Sequence, residues 1–160
     1  MSNRTDEHET AVRWTLLGEW KLMNNTIPLV DYLVLGAQPH LIARECTGCK
    51  ARYLDRRNGC AACCGDSFHM VPIPTKGVLR SFTIVWHAAP GVAVPFVAGI
   101  VDCAGTWVRA NILNVGSDPE RVRLGMQVRL TTFSVGLDKD RIEAIGFGFE
   151  PTQSGAEDVE

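Results

Sequence analysis

The chain carries Cys46-Thr-Gly-Cys49 and, ten residues later, Cys60-Ala-Ala-Cys63, and this doubled spacing limits the local fold more than any other stretch. Each pair can curl into a tight turn that points two sulfurs at one place. Two such turns supply a tetrahedron of thiolates about 2.3 Å from a zinc ion. A shell of four sulfurs has no open position for a reacting water, so the spacing predicts a structural zinc ribbon built on rubredoxin-like knuckles. The interval Lys50 to Gly59 is shorter than the commonest ribbon spacing, which predicts a tight hairpin between the knuckles. Cys64 follows directly, and pairing Cys60 with Cys64 is also geometrically possible. Cys63 is taken as the fourth ligand because it keeps the two knuckles alike and leaves Cys64 as a spare thiol.

Three other uses of these cysteines carry less weight. A disulfide framework calls for an oxidising compartment, and residues 1–9 are polar with no apolar core of a secretory signal. In the cytoplasm, the expected location, thiols stay reduced. A single Cys-x-x-Cys pair would suit redox chemistry, but two close pairs point to one shared metal. Iron in a rubredoxin-type site normally has its knuckles much further apart in sequence. Sixteen Lys plus Arg against 18 Asp plus Glu give a net charge of −2, a poor balance for a chain whose main partner is a polyanion. No apolar run approaches the roughly 18 residues that a membrane span needs.

The rest of the chain reads as mainly β, with an N-terminal helical segment (1–36), the ribbon (37–74), a five-stranded barrel (75–150) and a polar tail (151–160). Between Thr10 and Asn24 the apolar positions Val12, Leu16, Trp20 and Met23 form one stripe of an amphipathic helix. Leu29 to Leu35 is an apolar run that periodicity assigns to neither helix nor strand. His40 to Glu45 leads into the first knuckle as a strand, and Ser67 to Ile73 leads out of the second. Arg56 and Arg57, on the hairpin between knuckles, are of a type that holds phosphate; exposed arginines there are also ordinary solvated groups or partners of local acids.

Strands are predicted at Val78 to Trp86, Phe96 to Asp102, Thr106 to Leu113, Gln127 to Val135 and Arg141 to Phe149, from alternation and from β-branched and aromatic content. Ala104-Gly105 reads as a hairpin turn. Ser117-Asp118-Pro119 reads as a helix start that Gly125 ends. Three strands, a short helix and two strands match the OB-fold, a five-stranded Greek-key barrel. Gly99, Gly146 and Gly148 inside strands suit its sharp bends. An SH3-like barrel is the structural alternative.

A zinc ribbon followed directly by an OB-fold resembles the DUF35 family of acyl-CoA-associated proteins, over about residues 29–150. The resemblance rests on Cys46-Thr-Gly-Cys49, on Asp55-Arg56-Arg57 before Cys60, on the second knuckle, on Gly77 to Thr83, and on Gly125-Met-Gln-Val128. Asp31-Tyr-Leu-Val-Leu35 ahead of the ribbon looks most like thiolase partners in aromatic or steroid acyl-CoA degradation. Cys64 departs from the pattern, which usually has Gly after the last ligand. The resemblance implies a noncatalytic small subunit that docks on a thiolase-fold large subunit and helps form its CoA-binding region. Arg56 and Arg57 would then be the phosphate contacts to coenzyme A or acyl-CoA. Thiolase-like aldolases and MaoC-type enoyl-CoA hydratases are alternative partners.

Catalysis by the chain alone is not expected. Thiolytic cleavage needs a nucleophilic cysteine with a base and an oxyanion site. Cys103 is the one cysteine outside the ribbon, and it sits at a hairpin, away from any helix start that would lower its pKa. His87 lies in a loop. Single-stranded nucleic-acid binding is a less favoured function. Its candidate aromatics Phe82, Trp107 and Phe133 have only Arg80, Arg109 and Arg129 nearby.

Overall fold

The structure is a computed structural model and describes residues 25–115 and 121–152. The helix expected over Thr10–Asn24 lies outside those residues, as does the helix start expected at Ser117-Asp118-Pro119. Residues 121–125 form turns that end at Gly125, where φ is +83°. No helix occurs among the described residues, so none there is long and apolar enough to cross a membrane.

The ribbon is organised on β3 (His40–Cys46). One edge takes β2 (Leu33–Val34) and then β4 (Arg52–Tyr53), and the other edge takes β5 (Phe68–Pro72), all antiparallel. The run from Leu29 to Leu35 thus resolves as a turn followed by a two-residue strand. It is too short to bury more than Leu33, which is almost inaccessible, while Leu29 stays exposed. The expected hairpin between knuckles forms differently: β4 folds back across the first knuckle onto β3, with Arg44 opposite Tyr53 and Glu45 opposite Arg52.

The barrel contains β6 (Lys76–Val85), β7 (Phe96–Cys103), β8 (Thr106–Ile112), β9 (Gln127–Leu137) and β10 (Glu143–Pro151). Neighbours run β10-β8-β7-β6-β9, and β9 pairs again with β10, closing the sheet. The one parallel contact within this ring is β10 with β8, through Gly148 opposite Asn111. That connectivity is the OB-fold; closure leaves no open edge in the ring. A short β1 (Thr26–Pro28) joins the outside of β10 in parallel, and Tyr32 meets Phe147 edge to face at 5.9 Å.

Alternation along β7 and β8 buries Val97, Val101, Cys103, Thr106, Val108 and Ile112. In β6 the alternation breaks at a bulge between Leu79 and Ser81, so Leu79 and Phe82 both face inward although three residues apart. Arg80 is the extra residue, and it reaches Asp102 at 2.9 Å. Gly99, Gly146 and Gly148 provide clearance for packing and need no left-handed turn. A Cβ on Gly148 would lie 2.8 Å from the Asn111 carbonyl, inside the parallel contact. The β9–β10 connection starts later than expected: β9 continues through Gly136 to Leu137, and Asp138 Oδ1 then accepts the amides of Asp140 and Ile142, both at 2.8 Å. Leu33, Leu41, Ala43 and Ile73 from the ribbon side share one core with Leu79, Val101, Val108, Val128 and Phe149 of the barrel.

Candidate metal centre and the adjoining cleft

The two knuckles repeat one backbone pattern. The Cys46 amide donates to the Ala51 carbonyl at 2.9 Å and the Lys50 amide donates to the Cys46 carbonyl at 3.0 Å. In the second knuckle the Cys60 amide donates to Gly65 at 2.7 Å and the Cys64 amide to Cys60 at 2.8 Å. Lys50 and Cys64 occupy matching positions, both left-handed, with φ of 64° and 61°. That conformation favours glycine, which gives a physical reason for the glycine usually found at the Cys64 position in the resembling family.

The sulfurs of Cys46, Cys49, Cys60 and Cys63 all lie within 4.8 Å of one another. Cys46 and Cys63 are 3.6 Å apart, and Cys49 and Cys60 are 3.4 Å apart. Zinc bonds of about 2.3 Å in a tetrahedron put sulfurs about 3.8 Å apart, so the group is the size of a zinc shell. Cys64 is exposed and outside the cluster. All six cysteines are free thiols.

The charges agree with this geometry. The Tyr53 hydroxyl, 3.3 Å from the Cys60 sulfur, holds that thiol down at about 6, helped by the Ala62 and Cys63 amides. Amides of Cys49 and Gly48 lower Cys46. At Cys63 the Gly65 amide pulls down, but the sulfurs of Cys49, Cys46 and Cys60 push the thiol up to about 12. Four crowded sulfurs ionise together only around a cation, and a bound metal would supply that charge. Tyr53 also accepts the Ala61 amide at 3.1 Å. It therefore fixes a ligand from behind, as partners of metal ligands do.

Glu45 ties three of the four ribbon strands together, a role the sequence reading missed. Its side chain is nearly buried. It accepts Arg52 Nε of β4 at 2.8 Å, lies 3.3 Å from His69 Nε2 of β5, and lies 3.8 Å from Lys50 Nζ. The Arg52 hydrogen bond is the main reason its carboxyl sits below the usual range. Only the strand register, which puts Glu45 opposite both Arg52 and His69, reveals the cluster.

A cleft of about 400 Å³ opens between ribbon and barrel. Tyr32, Tyr53, Asp55 and Arg57 line one side; Thr106, Trp107 and Arg109 of β8 line the other. The Arg57 guanidinium lies 4.5 Å from the centre of the Tyr53 ring. Of the two predicted phosphate contacts, Arg57 lines the cleft and Arg56 does not. Cys103 is fully buried, and burial pushes its thiol up to about 11, the opposite of what a nucleophile needs. His87 lies in the exposed loop 86–95.

Residues 70–133, from β5 into β9, match the family model described as "ChsH2, C-terminal OB-fold domain". The structure of the Ltp2-ChsH2(DUF35) aldolase shares this fold, with a TM-score of 0.54 and 24% identity over 70% of this chain and 84% of that one. The likeness to both is one of fold, the OB-fold barrel. Among curated relatives, the chain is 26% identical over 114 residues to the benzoylsuccinyl-CoA thiolase subunit BbsA of Thauera aromatica, covering 71% of this chain and 78% of the relative. The BbsA of Geobacter metallireducens is 25% identical over 116 residues, covering 72% and 77%.

Proposed function

We propose that this chain is a noncatalytic accessory subunit of a two-component thiolase, docking on a thiolase-fold large subunit and helping form its CoA-binding region. The observation that carries the reading is the similarity to two proteins named as benzoylsuccinyl-CoA thiolase subunits, over most of both chains. In this reading Cys46, Cys49, Cys60 and Cys63 hold one structural zinc ion. The ion stiffens the ribbon, and the shared core fixes the ribbon against the barrel. The large subunit supplies the reacting cysteine and histidine. Arg56 and Arg57 contribute phosphate contacts to the CoA. The chain works in the cytoplasm, where its thiols remain reduced.

Exposed apolar surface supports docking. The ten residues of loop 86–95 are all exposed, contain no Asp, Glu, Lys or Arg and include Trp86, Val92 and Val94. Phe133 and Val135 on β9 expose a second apolar area. Both suit burial against a larger subunit, and the loop's exposed tryptophan is the kind of anchor that interfaces use.

The match of residues 70–133 to the ChsH2 domain, together with the solved structure titled an Ltp2-ChsH2(DUF35) aldolase, supports a second reading, an accessory subunit of a thiolase-like aldolase. Affinity purification of the tagged chain from its native cell tests both, with a MaoC-type hydratase as a further outcome. A thiolase is expected as the stoichiometric companion. An aldolase or hydratase in its place would overturn the first reading. Nucleic-acid binding has less support, because Arg80 is tied to Asp102 and Arg129 to Glu150, each at 2.9 Å.

A further inference from the structure

We infer that the outer face of β9 is covered in the folded chain by this chain's own residues 10–24, laid as an amphipathic helix across Phe133, Val135 and Leu137. Of the two apolar areas described above, this is the one with an occupant already tethered beside it. Residues 133–137 are all exposed, and none of them is charged. Exposure rises along them, from 36% at Phe133 to 51% at Val135 and 63% at Leu137. The neighbouring strand adds no bulk. Ala144 and Gly146 fall on one face of β10, and a Cβ on Gly146 would meet Phe133 and Val135, each at 3.0 Å. Three large apolar side chains on a low, uncharged surface gain by being covered.

The position of Asn25, the first described residue, identifies the occupant. β1 lies beside β10 with Thr26 opposite Glu143, and Glu143 is opposite Leu137 on β9. Thr26 is therefore two strand spacings, about 10 Å, from the most exposed residue of the stripe. Asn25 is held at that point: its carbonyl accepts the Glu143 amide at 2.9 Å, and its side chain donates to the Arg141 carbonyl. It is also left-handed, with φ of 50°, a conformation that commonly ends a helix and that asparagine tolerates. The segment before it carries Val12, Leu16, Trp20 and Met23 at helical spacing. As a helix, Val12 to Met23 is about 18 Å long, and Phe133 to Leu137 spans about 13 Å of strand, so one helix covers the stripe. A segment tethered this closely has a millimolar effective concentration, which a second copy or a separate subunit must outcompete to take its place.

Photo-crosslinking of the full chain, with p-benzoylphenylalanine in place of Leu16, tests this. Irradiation of the purified chain should give an intramolecular product that runs as a monomer, with mass spectrometry placing the link within residues 130–137. A link between two chains would make a second copy the occupant, and a link that forms only to an added partner subunit would make that subunit the occupant. Either result, a link elsewhere in the chain, or no link would overturn the proposal. Stability gives a second readout. Leu16→Ala keeps helix propensity, and Val135→Thr keeps the β-branched shape. Each should lower the melting temperature by about 3 °C, and the double variant should lose no more than about 4 °C, because both substitutions remove the same contact. An unchanged melting temperature in Leu16→Ala, or losses that add to about 6 °C in the double variant, would overturn it as well. No partner enters this contact, so it holds or fails independently of the subunit reading.

Discussion

Cys63 and Cys64 differ by one position and by opposite roles. The Cys63 sulfur is in the cluster, whereas Cys64 holds the left-handed turn that closes the knuckle. Cys64→Ser should keep about one zinc per chain, and Cys63→Ser should lose most of it; elemental analysis of the purified variants would show the reverse if Cys64 were the ligand. Asp102 gives a second test. The Gly105 amide at 2.7 Å, and then Arg80, lower its pKa. A lowered carboxylate stabilises the fold fully above its unfolded value, and the contribution disappears as pH falls through the folded value. Asp102→Asn should therefore melt below the wild type at neutral pH, and the gap should close in acid. A gap constant from pH 7 to pH 3 would contradict this. Metal loss in acid affects both proteins and drops out of the comparison. The cluster of four cysteines was legible because their spacing is local and repeats. Glu45 was not, since its three cationic neighbours come together only through strand register.

Strand positions followed from alternation wherever one face is buried, as along β7 and β8. They were harder to read where the backbone changes face. The bulge at Arg80 in β6 and the late turn at Asp138 depend on pairing partners that sequence periodicity does not reveal. The glycines make the same point: a sequence marks them as bends, and neighbouring strands show that they provide clearance. Gly148→Ala should cost about 2 kcal/mol, because its Cβ would meet the Asn111 carbonyl at 2.8 Å. Gly59→Ala, with nothing within 4 Å, should stay within about 0.5 kcal/mol of wild type. Urea denaturation of both variants measures the difference, and equal stabilities would refute the close-approach explanation. The ribbon should respond to chelation in a graded way. The Leu41 end of β3 belongs to the shared core, whereas Cys46 and Tyr53 are held by the knuckles. Hydrogen exchange after metal removal should show protection lost at Cys46 and Tyr53 and kept at Leu41 and Val101. Uniform loss would mean that the metal supports the whole fold.

At the scale of the molecule, ribbon and barrel form one body around one core, and the cleft exists only because they meet. The sequence showed both modules but not their meeting. It named Arg56 and Arg57 as equals, and only the packing puts Arg57 in the cleft with Arg109, more than fifty positions away in sequence. The buried Cys103 thiol and the exposed apolar surface fit the accessory role proposed above. The most direct test is CoA-dependent cleavage of an acyl-CoA, assayed with the isolated chain, with a copurifying thiolase-fold partner, and with the two together. The account predicts no turnover by the chain alone and full activity only in the mixture. Turnover by the isolated chain, or a partner equally active without it, would contradict the account.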